Sequence, residues 1–413
     1  MIKNNKKAIG AFLGTIVEYY DYSLYGFSAA ILADKFFPEI DKTSSLMYIF
    51  GIYALSYLAK PLGSIFFSRI GDKYGRRITL KITMIGIALP TVIIGLLPEY
   101  NTIGVIATAI LILCKFFQGF FVGAEYDGAA IYTIEHLDKK YHYTASAVTR
   151  FTGVVGLLLS IASTNFFNSS IFPEWGWRIP FLLSLPLAGI TIYYRQFLEE
   201  TPAFIKAKKE EIKFINIIGF IKKQYSTLFL VILFSGGFGV TYQISVIFMK
   251  EYLKIMIPSS ISIMSTFSII IVFCFGITMP ISGLLADRFG KNIVFKISLL
   301  MTLISCSMLI IAIEYQLLNL ALISAILIAS SVAPFNALAH GVIIKAFNPS
   351  ERYRGVSLGH ATGSLLMSGT ANYICLLFMK KYHLSLFPIF YTISFAIVAF
   401  FMIKLISKRE IKK

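Results

Sequence analysis

The stretch Gly63-Ser-Ile-Phe-Phe-Ser-Arg-Ile-Gly-Asp-Lys-Tyr-Gly-Arg-Arg77 decides the fold, because it places a glycine-rich basic turn between two long apolar runs. A similar stretch, Gly283-Leu-Leu-Ala-Asp-Arg-Phe-Gly-Lys291, returns in the second half of the chain. About half the chain length separates the two aspartates, Asp72 and Asp287. Internal repetition on this scale is typical of membrane proteins built from two copies of one unit. The sequence therefore predicts two related membrane units.

The composition indicates a protein that crosses a membrane many times. Hydrophobic residues make up 57% of the chain and charged residues 14%, whereas soluble domains carry roughly 25% charged residues. The mean hydropathy is +0.75. The first residues, Met1 to Lys7, are basic, but the apolar segment that follows is too long for a cleavable signal peptide.

Apolar runs that can cross a bilayer, which takes roughly 20 residues, recur along the whole chain. They lie at 8–33, 44–68, 79–97, 103–126, 144–167, 178–197, 223–249, 260–284, 293–313, 317–344, 355–379 and 384–405. The sequence predicts an all-α membrane protein with twelve transmembrane helices in two six-helix pseudo-repeats. The predicted domains are residues 1–197, a cytoplasmic linker at 198–222, and residues 223–413.

The formal net charge of +17 orients the chain in the membrane. Most of the 38 Lys and Arg residues fall in the loops on the side of the two termini. The positive-inside rule then predicts a multi-pass protein of the cell's inner or plasma membrane with both termini in the cytoplasm. Because the positive charge has this role, we expect lipid as a partner and no nucleic acid.

Cysteine and histidine spacing predicts neither a metal site nor a disulfide. The four cysteines lie inside apolar runs, and the five histidines lack the spacing of metal ligands. We therefore expect no metal and no other cofactor.

The first apolar run carries two acidic residues that are costly in a membrane. Glu18 and Asp21 are three residues apart and share a helical face with Tyr22. Each carboxylate costs roughly 2.5–3.5 kcal/mol to insert. They form either a static salt bridge inside the bundle or a cavity-lining group that binds protons or substrate.

The fourth run combines buried charge with glycines that allow close helix packing. Gly119 and Gly123 form a small-xxx-small ridge. Lys115 lies in mid-run and needs a partner. Glu125 and Asp127 project about 160° apart around a helix, so both cannot face one cavity.

Arg150 in the fifth run lies at a depth similar to that of Glu125 and Asp127, which predicts an ion pair with one of them. This pair is either static or functional. In the second half, Tyr242 lies in the seventh run, and the repeat offset makes His340 the counterpart of Glu125. A histidine there can titrate near neutral pH or remain neutral and hydrogen-bonded.

The turn between the second and third runs has its own expected roles. Gly71 and Gly75 permit a tight reversal. Asp72 is placed to cap the start of a neighbouring helix. Arg76 and Arg77 are positive anchors on the cytoplasmic side.

These features resemble the major facilitator superfamily, and within it the metabolite:proton symporter branch. The resemblance rests on Glu18–Gly26, Lys60–Gly63, the turn to Arg77, Gln118 and Gly119 with Glu125, Trp175–Phe181, Leu198–Phe204, Gly283–Lys291 and Ser350–Gly359. Tyr100–Gly104 and the segment from Cys114 to Ala129 are most similar to the bacterial proline/glycine betaine transporters. The match is denser in the first half than in the second.

The resemblance implies that the two halves close alternately around a central site lined by spans one, four, seven and ten. This placement brings Glu18, Asp21, Lys115 and Tyr242 within reach of one another. With the residues selected from the sequence itself, the candidate substrate and proton-coupling residues are Glu18, Asp21, Tyr22, Lys115, Glu125, Asp127, Arg150, Tyr242 and His340. The implied gating residues, which hold the cytoplasmic side shut, are Gly71, Asp72, Gly75, Arg76, Arg77, Asp287, Arg288 and Gly290.

The expected function is import of a small zwitterion, such as proline or glycine betaine, by proton symport in a monomer. The alternative is symport of an organic acid such as 2-oxoglutarate, because Arg150 and Asp127 depart from the expected pattern and Arg150 could bind a carboxylate. A non-transporting sensor and a membrane enzyme are weaker alternatives. The chain also lacks the long charged C-terminal extension of osmosensing members, so osmotic activation is not expected.

Overall fold

The computed structural model describes most of the chain, and every regular element in the described part is a helix. The described residues are 2–74, 76–123, 127, 130–131, 134, 139–196, 217–347 and 352–409. The predicted all-α class is confirmed. Each of the twelve predicted apolar runs contains helical residues. Within the described residues, nine helices are long and apolar enough to cross a membrane, and Lys81–Leu96 is a shorter apolar helix.

The described residues of the first half, up to residue 196, form nine α-helices and two short 3-10 turns. The helices are α1 (Ile2–Phe27), α2 (Ala29–Phe36), α3 (Lys42–Tyr74), α4 (Arg76–Leu96), α5 (Tyr100–Ile103), α6 (Val105–Val122), α7 (His142–Phe167), α8 (Ile179–Leu182) and α9 (Ser184–Arg195). The 3-10 turns are Lys139–Tyr141 and Glu174–Arg178.

Residues 217–347 and 352–409, the described part of the second half, form another nine α-helices. They are α10 (Ile217–Tyr242), α11 (Met249–Met256), α12 (Ile261–Phe289), α13 (Lys291–Glu314), α14 (Leu318–Ala337), α15 (Ala339–Ile343), α16 (Arg352–Gly363), α17 (Ala371–Lys381) and α18 (Phe387–Lys408). Pro258–Ser260 and Ile344–Ala346 are 3-10 turns.

Two π-helical segments widen the helices of the second half. Gln243–Phe248 joins α10 to α11, and Ser364–Ser368 joins α16 to α17. Segments of this kind leave backbone carbonyls without their usual partners and are frequent at functional sites. Here each segment begins with a residue that faces the same internal cavity, Gln243 in one case and Ser364 in the other.

Glycines allow α3 and α6 to touch backbone to backbone. A β-carbon on Gly119 would overlap the carbonyl oxygen of Ser56, and one on Gly123 would overlap that of Lys60. Gly63 of α3 meets the carbonyl oxygen of Phe120 in the same way. The predicted small-residue ridge is therefore confirmed, with α3 as its partner.

The repeat aspartate of the second half, Asp287, caps a helix of the first half. Its carboxylate accepts hydrogen bonds from the backbone N–H groups of Tyr143 (2.9 Å) and Thr144 (2.8 Å), and from the Thr144 hydroxyl (2.7 Å). These N–H groups lie in the first turn of α7, where the helix dipole favours an anion. We call this side of the bundle the loop face.

Other polar contacts join the two halves at the loop face. The Ser146 hydroxyl donates to the carbonyl of Ala337 over 2.7 Å, and His142 Nε2 lies 2.8 Å from the carbonyl oxygen of Gly341. Lys345 donates to the Tyr143 hydroxyl over 3.3 Å. The halves are therefore in direct contact on this side.

The turn after Asp287 has the geometry expected of its glycine. Gly290 has φ +88°, and its N–H donates to the carbonyl of Ala286 over 3.0 Å. A left-handed glycine of this kind ends a helix, so α13 can begin at once. Arg288 is exposed. In the equivalent first-half turn, Gly75 and the side chains of Asp72, Arg76 and Arg77 lie outside the described residues, and Gly71 falls inside α3.

Contacts also join the halves at the side remote from the loop face, which we call the opposite face. Lys380 Nζ lies 2.9 Å from Asp41 Oδ2, and the Phe50 and Phe248 rings meet edge to face at 5.9 Å. Lys380 and Ser44 hold the pKa of Asp41 well below its usual range. The stabilisation from this pair is therefore present above the ordinary carboxyl pKa of about 4 and is lost in stronger acid.

Replacement of Gly119 by alanine is expected to destabilise the first half. The added methyl group must push α3 away from α6, and overpacking of this kind costs about 1–3 kcal/mol. Thermal unfolding in detergent, followed by tryptophan fluorescence, would measure the loss. Gly189→Ala is the matched control, because nothing lies within 4 Å of the position of its β-carbon. Equal melting temperatures for the two variants would contradict the packing argument.

Replacement of Asp287 by alanine is expected to open the loop face. The variant loses three hydrogen bonds to a carboxylate, worth about 1–3 kcal/mol in total, which would shift the balance of conformations by about 5- to 150-fold. Electron–electron distance measurements between spin labels at Tyr141→Cys and Phe289→Cys would report the change, after removal of the native cysteines. The control is Asp34→Ala, an exposed aspartate of α2. An unchanged distance distribution in the Asp287 variant would show that the cap does not hold this face closed.

Candidate functional site

A cavity of about 110 Å³ lies between the two halves. The helices that line it include α1, α3, α7, α10 and α16, so it draws on more of the bundle than spans one, four, seven and ten. Its acidic and basic lining residues are Glu18, Lys60, Asp127, Arg150 and His360. Tyrosines, small polar residues and apolar residues form the rest of the wall. The cavity therefore presents charge of both signs in an otherwise apolar interior.

Several residues predicted from the sequence as site residues face this cavity. They are Glu18, Tyr22, Asp127, Arg150 and Tyr242. Glu18 is only 3% exposed and Asp127 only 6%. Glu125 lies outside the described residues.

Asp21 and Lys115 lie within the first half and are not among the residues that line the cavity. Asp21 is fully buried, and its Oδ2 accepts a hydrogen bond from Ser184 over 2.9 Å. Lys115 is also fully buried and donates to Gln118 Oε1 over 2.7 Å, and Gln118 in turn donates to Thr91. Although Asp21 is three residues from Glu18, the two carboxylates have different surroundings.

Asp127 is the centre of a hydrogen-bonded chain that joins the two halves. Its Oδ1 lies 2.8 Å from His340 Nε2 and 2.9 Å from His360 Nδ1. On the other side of the His340 ring, Nδ1 lies 3.3 Å from Arg150 Nη2. Asp127 and Arg150 belong to the first half, and the two histidines belong to the second. We call these four residues the Arg–His–Asp chain.

The direction of these hydrogen bonds follows from the chemistry of arginine. A guanidinium group only donates, so His340 Nδ1 must accept from Arg150. His340 then carries its proton on Nε2, which donates to the Asp127 carboxylate. His340 is therefore neutral in this arrangement.

The same three groups also have donor atoms suited to a transition metal. Asp127, His340 and His360 each place one ligand atom within 4.8 Å of the others. A metal on His340 Nε2 would require the proton to sit on Nδ1, where it would face the N–H groups of Arg150. The contact with Arg150 therefore favours the hydrogen-bonded chain.

Phe238 supports both ends of the Arg–His–Asp chain. The Arg150 guanidinium lies 5.2 Å from the centre of its ring, and the His360 ring stacks on it at 5.7 Å. Aromatic contacts of this kind stabilise a partly desolvated cation. Glu125 and Asp127 are the carboxylate partners predicted for Arg150. His340 lies between Arg150 and Asp127, and Glu125 lies outside the described residues.

The site residues predicted from the sequence did not include Lys60, Tyr57 and His360, which also line the cavity. Lys60 Nζ lies 4.3 Å from the Tyr22 ring centre and 4.1 Å from that of Tyr57. The position of Lys60 inside an apolar run could have marked it as a candidate site residue, as the same kind of position did for Lys115. There was little reason to select His360 from the sequence, because it lies only just inside the predicted apolar run at 355–379.

The chain is similar to known transport proteins along most of its length. Residues 7–224 match the model of the family described as "Sugar (and other) transporter". The proline/betaine transporter of Salmonella typhimurium is 35% identical over 309 residues, which cover 70% of this chain and 61% of that protein. The glycine betaine/proline/ectoine/pipecolic acid transporter OusA of Dickeya dadantii is 34% identical over 307 residues, covering 70% and 60%. The chain thus spans about three-fifths of the length of these curated relatives.

The fold is also similar to a solved transporter structure. The proton:xylose symporter XylE, a protein of the major facilitator superfamily known from E. coli, superposes with a TM-score of 0.76 at 17% identity. The match covers 97% of this chain and 95% of that one. At this identity the likeness concerns the fold alone. With more than half of its residues matched by the family model, the chain belongs to the sugar (and other) transporter family of the major facilitator superfamily.

Proposed function

We propose that this protein is a secondary active transporter that imports a small zwitterion by proton symport. The observation that carries the proposal is the cavity between the halves, which holds Lys60 and Arg150 together with Glu18 and Asp127. A zwitterion needs both charges to be compensated once it leaves water. The relatives named for proline and betaine support this substrate class.

The Arg–His–Asp chain offers a route by which a proton could control substrate binding. If His340 takes a proton at Nδ1, that nitrogen becomes a donor and can no longer accept from Arg150. Arg150, which lines the same cavity, would then lose this partner and could turn to a substrate carboxylate. Because His340 and Arg150 come from different halves, the same event would weaken one contact between the halves.

The proposed substrate and coupling residues are Glu18, Tyr22, Asp127, Arg150, Tyr242 and His340, with His360 and Lys60 added from the structure. We place the protein as a monomer in the inner or plasma membrane with both termini in the cytoplasm. The distribution of positive charge supports this orientation.

Symport of an organic acid is the second candidate function. It is supported by the two cations, Lys60 and Arg150, that line the cavity. If Glu18 and Asp127 remain bound to partners in the protein, these cations would favour an anion such as 2-oxoglutarate.

Uptake into proteoliposomes is expected to distinguish these functions. With one proton per substrate, a pH gradient of one unit supports about tenfold accumulation. We expect labelled betaine or proline to accumulate when the outside is acidic, and a protonophore to abolish the accumulation. Empty liposomes serve as the control. Accumulation of 2-oxoglutarate alone would establish the second candidate, and gradient-independent equilibration of every compound would contradict symport.

Replacement of His340 by glutamine is expected to separate coupling from binding. The amide still offers a donor and an acceptor, but it cannot take a proton. Gradient-driven uptake should fall to the level seen without a gradient, whereas the exchange of labelled for unlabelled substrate that remains should no longer depend on pH. His383→Asn is the control, because His383 is exposed and asparagine tolerates its positive φ of 55°. Loss of exchange as well would indicate a structural role for His340.

A further inference from the structure

The ammonium group of Lys60 lies between two tyrosine rings inside the cavity. Its Nζ is 4.1 Å from the ring centre of Tyr57 and 4.3 Å from that of Tyr22. The two rings are inclined at 74° with their centres 5.8 Å apart, so they form two walls of a corner. We call this pair of rings the tyrosine corner.

The tyrosine corner is held in place from outside. The Tyr22 hydroxyl lies 3.0 Å from the Ser56 hydroxyl, and the Tyr57 hydroxyl accepts a hydrogen bond from Gln243. Tyr53 packs against both rings, with centres 5.4 Å from Tyr22 and 5.6 Å from Tyr57. The hydroxyls are thus occupied at the ring edges, and the ring faces point at the cation.

Two fixed aromatic faces around a cation are the arrangement by which proteins recognise alkylammonium ions. We propose that the tyrosine corner is the binding subsite for the ammonium group of the substrate, and that Lys60 is a tethered cation that occupies this subsite until the substrate displaces it. This inference rests on the proposed function, because it requires a zwitterion in the cavity.

The cavity offers a second position for the Lys60 ammonium group once a substrate displaces it from the tyrosine corner. Glu18 and Asp127 line the same cavity as Lys60 and carry negative charge. A displaced Lys60 would therefore move towards a carboxylate and not into an apolar wall. One cation leaves the tyrosine corner as another enters it, so the charge held between the two rings does not change.

The chemistry of the tyrosine corner also favours one class of substrate. Ring faces offer no lone pairs, so a primary ammonium would lose hydrogen bonds to water that they cannot replace. A quaternary or alkylated ammonium has fewer N–H groups to satisfy and more apolar surface to bury. The subsite is thus suited to N-alkylated amino acids.

The inference is tested by calorimetric measurement of ligand binding to the protein in detergent, where no pH gradient is present. The probes are glycine betaine and 3,3-dimethylbutanoate, which has the same shape and carboxylate but carbon in place of the charged nitrogen. The wild-type protein should prefer betaine. Tyr22→Leu and Tyr57→Leu should reduce that preference about tenfold, whereas Tyr22→Phe and Tyr57→Phe should retain it because they keep the rings.

Lys60→Met provides the decisive variant, because it removes the competing cation and keeps an apolar stem. It should bind betaine several-fold more tightly than the wild-type protein does, and Lys60→Arg should not. If Lys60→Met instead weakens both probes equally, Lys60 binds carboxylate and the inference is wrong. If a leucine variant fails to fold, the Lys60→Met and Lys60→Arg variants still test the inference.

The two proposals fail in different ways. Betaine binding in detergent without proton-driven uptake in proteoliposomes would overturn symport and leave the tyrosine corner intact. Proton-driven betaine uptake with equal binding of the two probes would overturn the tyrosine corner alone. A wild-type protein that binds neither probe would also overturn it.

Discussion

A charge buried among apolar helices must find its partners inside the protein, and this constraint organises the centre of the molecule. Asp127 and Arg150 of the first half are linked through His340 of the second, so one hydrogen-bonded chain compensates charge across the boundary between the halves. Leaving one member of such a network unpaired costs several kcal/mol. The closed arrangement of the halves and the neutral state of His340 therefore depend on each other.

Much of the architecture could be predicted from the sequence, because the lipid environment imposes long apolar runs and makes buried charge conspicuous. Glu18, Asp127 and Arg150 stood out for this reason, and the structure places all three at the cavity. The spacing of Asp21 from Glu18 predicted a shared helical face, but it did not show what packs against that face. Asp21 faces Ser184 within the first half instead.

The partner of Arg150 and the role of Lys60 could not be predicted for a different reason. Both depend on how one helix is rotated against another, and a single sequence carries no record of that rotation. His340 was predicted as a site residue only because the repeat offset makes it the counterpart of Glu125. Its position between Arg150 and Asp127 is a property of the assembled halves. The parts of the site that the sequence left open are thus those formed where helices meet, either between the two units, as at His340, or within the first unit, as at Lys60.

The cap that Asp287 provides to α7 differs from the contacts in the cavity in one respect. It lies at a helix end on the loop face, where water can bind the freed N–H groups as soon as the halves separate. Solvent therefore replaces most of the enthalpy of the broken contact during opening. A closure of this kind can bias which conformation is populated while leaving the interconversion between conformations fast, as repeated cycles of opening require.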